Sequence, residues 1–236
     1  MVRLVIGIFV AVALNYSYVV SMDLVDMESI GYSAYSAGIG GVSDVEKGPE
    51  AIFSNPALMG GRGIQVTGFS TENGSGVDYR NIGATIKLPF GMFGIGVSET
   101  VNDGLFGFFE EKKPGDQLSN HSVKAVSGVS TSVSSGDWII SLGVSGILYK
   151  VQTQFTNESS FDANLGVSFS ERNSRFSILY KNALTSSFQT YFGASEIISS
   201  QLSLSGSHTI ENFGVSIYGQ SDFIEGTPIF SVGAQL

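Results

Sequence analysis

The chain of 236 residues contains no cysteine. That excludes disulfides, thiolate nucleophiles and cysteine-based metal sites, and it excludes a lipid anchor attached at a leader's cleavage-site cysteine. Histidine occurs only as His121 and His208, and no Gly-x-Ser-x-Gly elbow flanked by strand and helix marks a serine nucleophile for either. Charged residues make up 14% of the chain, against about a quarter in ordinary soluble domains. What charge there is leans acidic, with a net −9, so the basic footprint required for nucleic acid is missing. Also missing is any run of about 20 apolar residues, the length a membrane-crossing helix needs.

The longest apolar run, Leu4 to Leu14, follows Arg3 and gives way to the more polar Asn15 to Ser21. A short positive start, an apolar centre and small residues near Ser21 read as a secretory signal peptide over 1–21. Its removal leaves 11 basic against 21 acidic residues, −10. Two further parts are expected: an N-terminal segment over 22–62 and a β-domain over 63–236.

The β-domain is read from alternation. Phe161, Ala163, Leu165, Val167 and Phe169 interleave with Asp162, Asn164, Gly166, Ser168 and Ser170. Similar two-faced runs occur at Ile82–Phe90, Trp138–Ser145 and, more weakly, around Phe93–Val97, Val123–Val133, Phe176–Tyr180, Phe188–Ala194, Leu202–Leu204, Phe213–Ile217 and Phe230–Leu236. A soluble sandwich and a membrane barrel both alternate. The polar face here is mostly Ser and Gly rather than Lys, Glu, Thr and Arg. Aromatic residues (Phe90, Phe93, Trp138, Tyr149, Phe161, Phe169, Phe176, Tyr180) fall near strand ends, as interfacial girdles do. Several runs are long enough to cross a bilayer when tilted. The expected fold is therefore all-β, a transmembrane antiparallel β-barrel of 10–12 strands. Eleven strand-like runs are counted after Gly63, one more than the ten named here, and a barrel with both ends in the periplasm needs an even number. Tight turns are expected at Pro89-Phe90-Gly91, Ser134–Asp137 and Glu171–Ser174, with longer loops at Thr71–Val77, Val101–Ser119 and Val151–Ser159.

Ahead of the strands, Gly31 to Gly63 is too rich in small residues for a core and too apolar for a linker. Asn55 before Pro56 reads as a helix N-cap with proline in the first position, opening a short turn over Pro56–Met59. Gly38-Ile39-Gly40-Gly41, Asp44 and the run Ala51-Ile52-Phe53-Ser54-Asn55-Pro56-Ala57 resemble the N-terminal region of the FadL-like outer-membrane transporters, and more closely that of PorV/UPF0164-type barrel proteins. Lys87-Leu88-Pro89-Phe90-Gly91 is similar to the same group. The resemblance covers residues 31–100 in detail and only in general terms beyond them, and the chain is short for a full-sized member.

That resemblance implies an outer membrane of a two-membrane bacterium, with the N-terminal segment lying inside the barrel as a hatch. Hatch or gating residues would be Gly38, Gly40, Gly41, Asn55, Pro56 and Ala57. The inward faces at Gly83, Gly94, Gly96, Gly143 and Gly166 leave room for a backbone to approach. The implied function is transport of small hydrophobic compounds such as fatty acids. Leu105, Phe106, Phe108 and Phe109 form a candidate ligand-contact loop. The alternative implied by PorV-type members is a non-conducting structural or secretion-partner barrel. Outer-membrane lipid and a small hydrophobic molecule are the expected partners; the sequence names no protein partner.

Neither catalytic residues nor a cofactor is expected. Gly38-x-Gly40-Gly41 lacks the preceding strand and the spacing of a dinucleotide loop. Asp44, Glu46, Asp103, Glu110, Glu111 and Asp116 lack calcium-loop spacing and read as loop-solvating charges. The first expected outcome is heat-modifiable mobility: unboiled protein in detergent should migrate differently from boiled protein on gels. A monomer soluble without detergent would contradict the barrel.

Overall fold

The computed structural model describes residues 32–34, 36, 42, 44, 45, 47–73, 77–106, 117–153, 157–184, 187–189, 195–224 and 227–235. The expected leader, Gly38, Gly40, Gly41, Phe108, Phe109 and Leu236 lie outside them. Twelve strands occur: β1 (Ile64–Asn73), β2 (Val77–Leu88), β3 (Gly91–Phe106), β4 (Gln117–Ser135), β5 (Trp138–Thr153), β6 (Asn157–Glu171), β7 (Ser174–Lys181), β8 (Ser187–Gln189), β9 (Ser195–Ile197), β10 (Gln201–Ile210), β11 (Val215–Ile224) and β12 (Thr227–Gln235). Ten of them form one sheet in the order β1-β2-β3-β4-β5-β6-β7-β10-β11-β12, while β8 and β9 pair separately. Every neighbouring pair is antiparallel. The protein is all-β, and no helix among the described residues is long and apolar enough to cross a membrane.

The register turns the alternation of single strands into two continuous surfaces. One rung pairs Ile64 with Ile86, Phe93, Val129, Val144, Leu165, Tyr180, Leu202, Phe223 and Pro228 in succession, one residue from each of the ten strands. Every member is apolar or aromatic, and most are exposed, Leu165 at 50% and Val144 at 41%. A rung on the opposite face pairs Met92 with Ser130, Gly143, Gly166, Leu179, Ser203 and Asp222. This face is buried, yet it is rich in small polar residues. Because the side-chain period of a strand is two, a slip by one residue would exchange the two surfaces.

Two-residue turns close β2 to β3 at Pro89-Phe90, β4 to β5 at Gly136-Asp137 and β6 to β7 at Arg172-Asn173, as the sequence suggests. At the other end the strands run through much of the sequence expected to form loops. β3 reaches Phe106, β4 begins at Gln117 and β5 reaches Thr153. The reason is pairing: Asn120 and His121 face Thr153 and Gln152, so polar residues continue the ladder past the apolar belt.

Of the run Phe188–Ala194, the described Phe188 and Gln189 fall in β8, which pairs with β9 and not with the ten-stranded sheet. β7 pairs directly with β10 from Lys181–Gln201 to Ser174–His208. The chain leaves the sheet at Asn182, whose φ of 53 is left-handed, and Leu184 N–H donates to Asp162 at 2.9 Å. It returns with Ile198 buried in the interior cluster beside Tyr149. Tyr149 itself is a correction to the girdle: its ring points inward and is 9% exposed.

Gly136 holds φ 62 in the β4–β5 turn, and a Cβ there would meet nothing within 4 Å. Gly136→Ala therefore isolates backbone strain, and should lower unfolding free energy by about 1–2 kcal/mol. Urea unfolding in detergent micelles or lipid vesicles measures this.

Candidate functional site: the buried N-terminal segment

Residues 48–59 fold as a closed loop on the inner face of the sheet. Pro49–Ile52 and Pro56–Leu58 are two 3-10 turns. Asn55 caps the second: its Oδ1 accepts from Ala57 N–H at 3.0 Å, with Pro56 in the first position, where its missing N–H costs nothing. Phe53 N–H donates to Glu50 O at 3.0 Å, and Gly48 N–H closes the loop onto Leu58 O at 3.3 Å. With these donors used locally, the segment can bury without a sheet of its own.

Ala51, Ile52, Phe53, Ala57, Leu58 and Met59 are all buried. Ile52, Phe53, Leu58 and Met59 join Tyr79, Met92, Val126, Ile147 and Tyr149 from the sheet. The inner face is thus less uniformly polar than its Ser and Gly content suggests, because its large apolar residues are placed under this segment. Burying Ile52, Phe53 and Leu58 is worth about 1.5–3 kcal/mol each as an upper estimate.

Glycines set how close the segment can come. A Cβ on Gly143 would lie 2.3 Å from Ala57 N and Pro56 C, and one on Gly166 would lie 2.0 Å from Asn55 Oδ1. Gly83 and Gly96 face the Phe53 ring, and Gly94 faces Met59 Sδ and Ile52. Gly128, which sequence reasoning did not single out, also faces Ile52, at 3.1 Å. At Gly143, where the segment's own backbone is in the way, any other residue would push the segment off the sheet, whereas at Gly94 and Gly128 the ends of Met59 and Ile52 could give way.

A second, polar contact lies across the lumen. Asp44, expected to solvate a loop, is instead fully buried. Its Oδ2 accepts from Ser203 Oγ at 2.5 Å and lies 3.7 Å from Lys181 Nζ. Its main chain is held as well: the N–H donates to Gln220 Oε1 at 3.3 Å, and the carbonyl accepts from Ser205 Oγ at 3.0 Å. Arg175 Nη1 donates to Val45 O, and Val42 and Val45 pack on Tyr218. Val42, Asp44 and Val45 are therefore tied to β7, β10 and β11. Lys47 follows, its pKa below the ordinary value because burial strips its water and because the Arg175 guanidinium faces it.

A third contact involves Tyr32. Asn81 Nδ2 donates to Tyr32 O at 2.8 Å, and the Tyr32 ring stacks on Phe53 with centroids 6.0 Å apart. Lys124 Nζ sits 5.3 Å from the Tyr32 ring and 5.8 Å from Tyr149. Ser33 and Ser36 bond to each other's main chain, which stiffens this stretch.

Of the sequence-derived site residues, Asn55, Pro56 and Ala57 come together on Gly143 and Gly166. Leu105 and Phe106 end β3, paired with Leu118 and Gln117 beyond a register shift after Asn102. Sequence reasoning missed Arg175, Lys181, Ser203, Ser205 and Gln220. Strand parity could have found the first four, since it puts Arg175 and Lys181 on the inner face of β7 and the two serines on that of β10.

His208 Nδ1 lies 2.9 Å from Ser174 Oγ, but the pair is exposed and follows from direct register opposition. His121 Nε2 contacts Glu99 Oε1 at 2.7 Å. No group of three or more His, Asp or Glu residues among the described residues is arranged to hold a metal.

No family model and no curated protein matches the sequence. Among solved structures, the chain is similar to the crystal structure of the P. putida toluene transporter TodX. The identity is 13%, over 88% of this chain and 76% of that one, with a TM-score of 0.48. A likeness so partial leaves family and solute to be argued from the chain itself. The comparisons lend nothing to the PorV/UPF0164 resemblance.

Gly143→Ala and Gly166→Ala should each loosen the segment, so that trypsin, which needs a locally unfolded chain, cuts after the exposed Lys47 and Arg62 sooner than in the parent. Gly206→Ala, whose Cβ would sit 3.5 Å from its nearest neighbour, should leave the cleavage rate unchanged. Asn55→Ala should cost about 1 kcal/mol from the lost cap alone.

Proposed function

We propose that this protein is an outer-membrane β-barrel of FadL type that admits small hydrophobic compounds, with residues 22–62 acting as its hatch. One observation carries the reading: the exposed face of the sheet is an unbroken apolar rung, while the buried face receives the protein's own N-terminal segment. A water-facing sandwich would bury the apolar rung and expose the polar one. Here the order is reversed, as lipid requires. Sheet strands run from 8 residues in β7 to 19 in β4, around or beyond the roughly 9–11 that cross a bilayer. Trp138, Phe90 and Phe176, all exposed near the tight turns, supply aromatic rings for one membrane interface.

The hatch reading rests on burial without covalent attachment. Local turns, apolar and glycine contacts, hydrogen bonds and the Asp44–Lys181 ion pair hold the segment, and each can be exchanged for contacts with solvent or solute. Removing it would bare Tyr79, Met92, Val126, Ile147 and Tyr149, an apolar lining with Asn81 and Lys124 as polar anchors. That is the composition expected of a site for small apolar solutes; fatty acids are the solutes we propose first. The competing reading is a permanently closed structural or secretion-partner barrel. Its support is the closeness of the segment at Gly143 and Gly166, where little room remains for movement.

Two measurements separate these readings. Labelled fatty acid or toluene should enter liposomes faster with the protein than without it; equal entry favours the closed barrel. Deletion of residues 33–57 should raise single-channel conductance while heat-modifiable mobility persists, and unchanged conductance would place the segment outside the conducting path. The membrane assignment has its own check. Val144→Arg, on the exposed rung, should cost about 2–4 kcal/mol of folding free energy in bilayers if it sits near the midplane. A neutral effect would mean that rung faces water.

A further inference from the structure

The segment is held in two physically different ways on the two sides of the lumen, and this asymmetry says which end releases first. Residues 51–59 are seated by shape, apolar groups in a row of glycines on β2 to β6. Shape contacts of this kind have no charge to switch. Residues 42–45 are seated by polar contacts on β7, β10 and β11, centred on the fully buried Asp44. We propose that Asp44 is a charge latch: its carboxylate holds the 42–47 end closed, and loss of that charge frees this end while residues 51–59 stay in place. This rests on the hatch reading and adds the point of release and the direction of movement.

Three observations support it. First, Ser203, the donor to Asp44, shares its rung with Gly143 and Gly166, which receive Pro56-Ala57 and Asn55. The latch and the seat are therefore at one level of the barrel, and release opens a gap beside the seat, toward β7, β10 and β11. Second, cations surround the latch. Lys181 faces the carboxylate, Arg175 holds Val45 O, and Lys47 is close enough to Arg175 for the two charges to oppose each other. Asp222 is the nearby acid, engaged by Gln220 Nε2 at 2.9 Å. Without the Asp44 charge, the positive charges of Lys181 and Arg175 at this stretch are no longer offset by it. Third, the apolar contribution of the described residues here is small, Val42 and Val45 on Tyr218, so beyond the carboxylate the stretch is held mainly by the main-chain bonds to Gln220, Ser205 and Arg175.

Asp44→Asn keeps the shape and removes the charge. In planar bilayers it should raise single-channel conductance several-fold, short of the value reached on deleting residues 33–57. Because the natural chain lacks cysteine, a reversible lock can be built with Asp44→Cys and Ser203→Cys joined by a short bis-methanethiosulfonate. The joined form should conduct like the parent, and reductant should convert the same assembled barrels to the Asp44→Asn level. This second arm decides the matter even if Asp44→Asn fails to assemble. If joined and reduced forms conduct equally, the latch is wrong. If Asp44→Asn conducts like the parent while the deletion conducts more, the latch is overturned and the hatch reading stands. Parent-level conductance in all variants, deletion included, overturns both.

Discussion

Close approach of the segment to the sheet, its backbone at Gly143 and the Asn55 side chain at Gly166, is the constraint on which the rest of this structure depends. Pro56 C and Ala57 N lie where a Cβ on Gly143 would be, so the segment has no alternative seat one residue higher or lower. That contact fixes where Ile52 and Phe53 fall, and hence which inner positions must be glycine and which can be Val126 or Ile147. It also sets the register indirectly. A strand slip would put Val144 or Leu165 against Asn55, which a buried capped turn cannot accommodate.

From this contact the two faces of the sheet follow. A lumen filled by a peptide needs side chains that are small where the peptide is close and large where it is distant. Serine and glycine serve the near positions; Tyr79, Met92 and Tyr149 fill the far ones. The outer face is free of any peptide and therefore carries only the requirements of its surroundings, which its apolar rung satisfies across all ten strands. Small polar residues inside and large apolar ones outside invert the pattern of a water-soluble sheet. Stability must then come from ladder hydrogen bonds and from the segment rather than from a conventional core.

Much of this was legible in the sequence. Period-two alternation located nearly every strand of the sheet, and the dipeptides at the tight turns located its closed end. Asn55 and Pro56 identified a capped turn, because cap chemistry is local and needs no knowledge of the fold. Five glycines facing the segment could be named in advance from strand parity. What failed was long-range. Phe188–Ala194 alternates as well as many real strands, but nothing in seven residues reveals that β7 and β10 pair directly. Tyr149 looks like a girdle residue until the register puts it on the inner face. Asp44 looks like a loop charge until Lys181 and Ser203, more than a hundred residues away, close around it.

Asp44 also bears on what kind of closure the segment provides. A buried ion pair is a poor source of net stability, since desolvation offsets most of the attraction, and an apolar replacement of equal volume is often as stable. If permanent closure were all that mattered, extending the apolar seat of residues 51–59 to residues 42–47 would serve at least as well. The chain instead places a carboxylate 3.7 Å from Lys181, with Arg175 on the neighbouring Val45 carbonyl, where the described residues make little apolar contact. Desolvation makes such an arrangement a weaker net hold than its attraction alone would give, and that hold is lost when the carboxylate is neutralised or solvated. Shape holds one end of the segment and charge the other, and only the charged end can be traded for water or for another anion without tearing a packed surface.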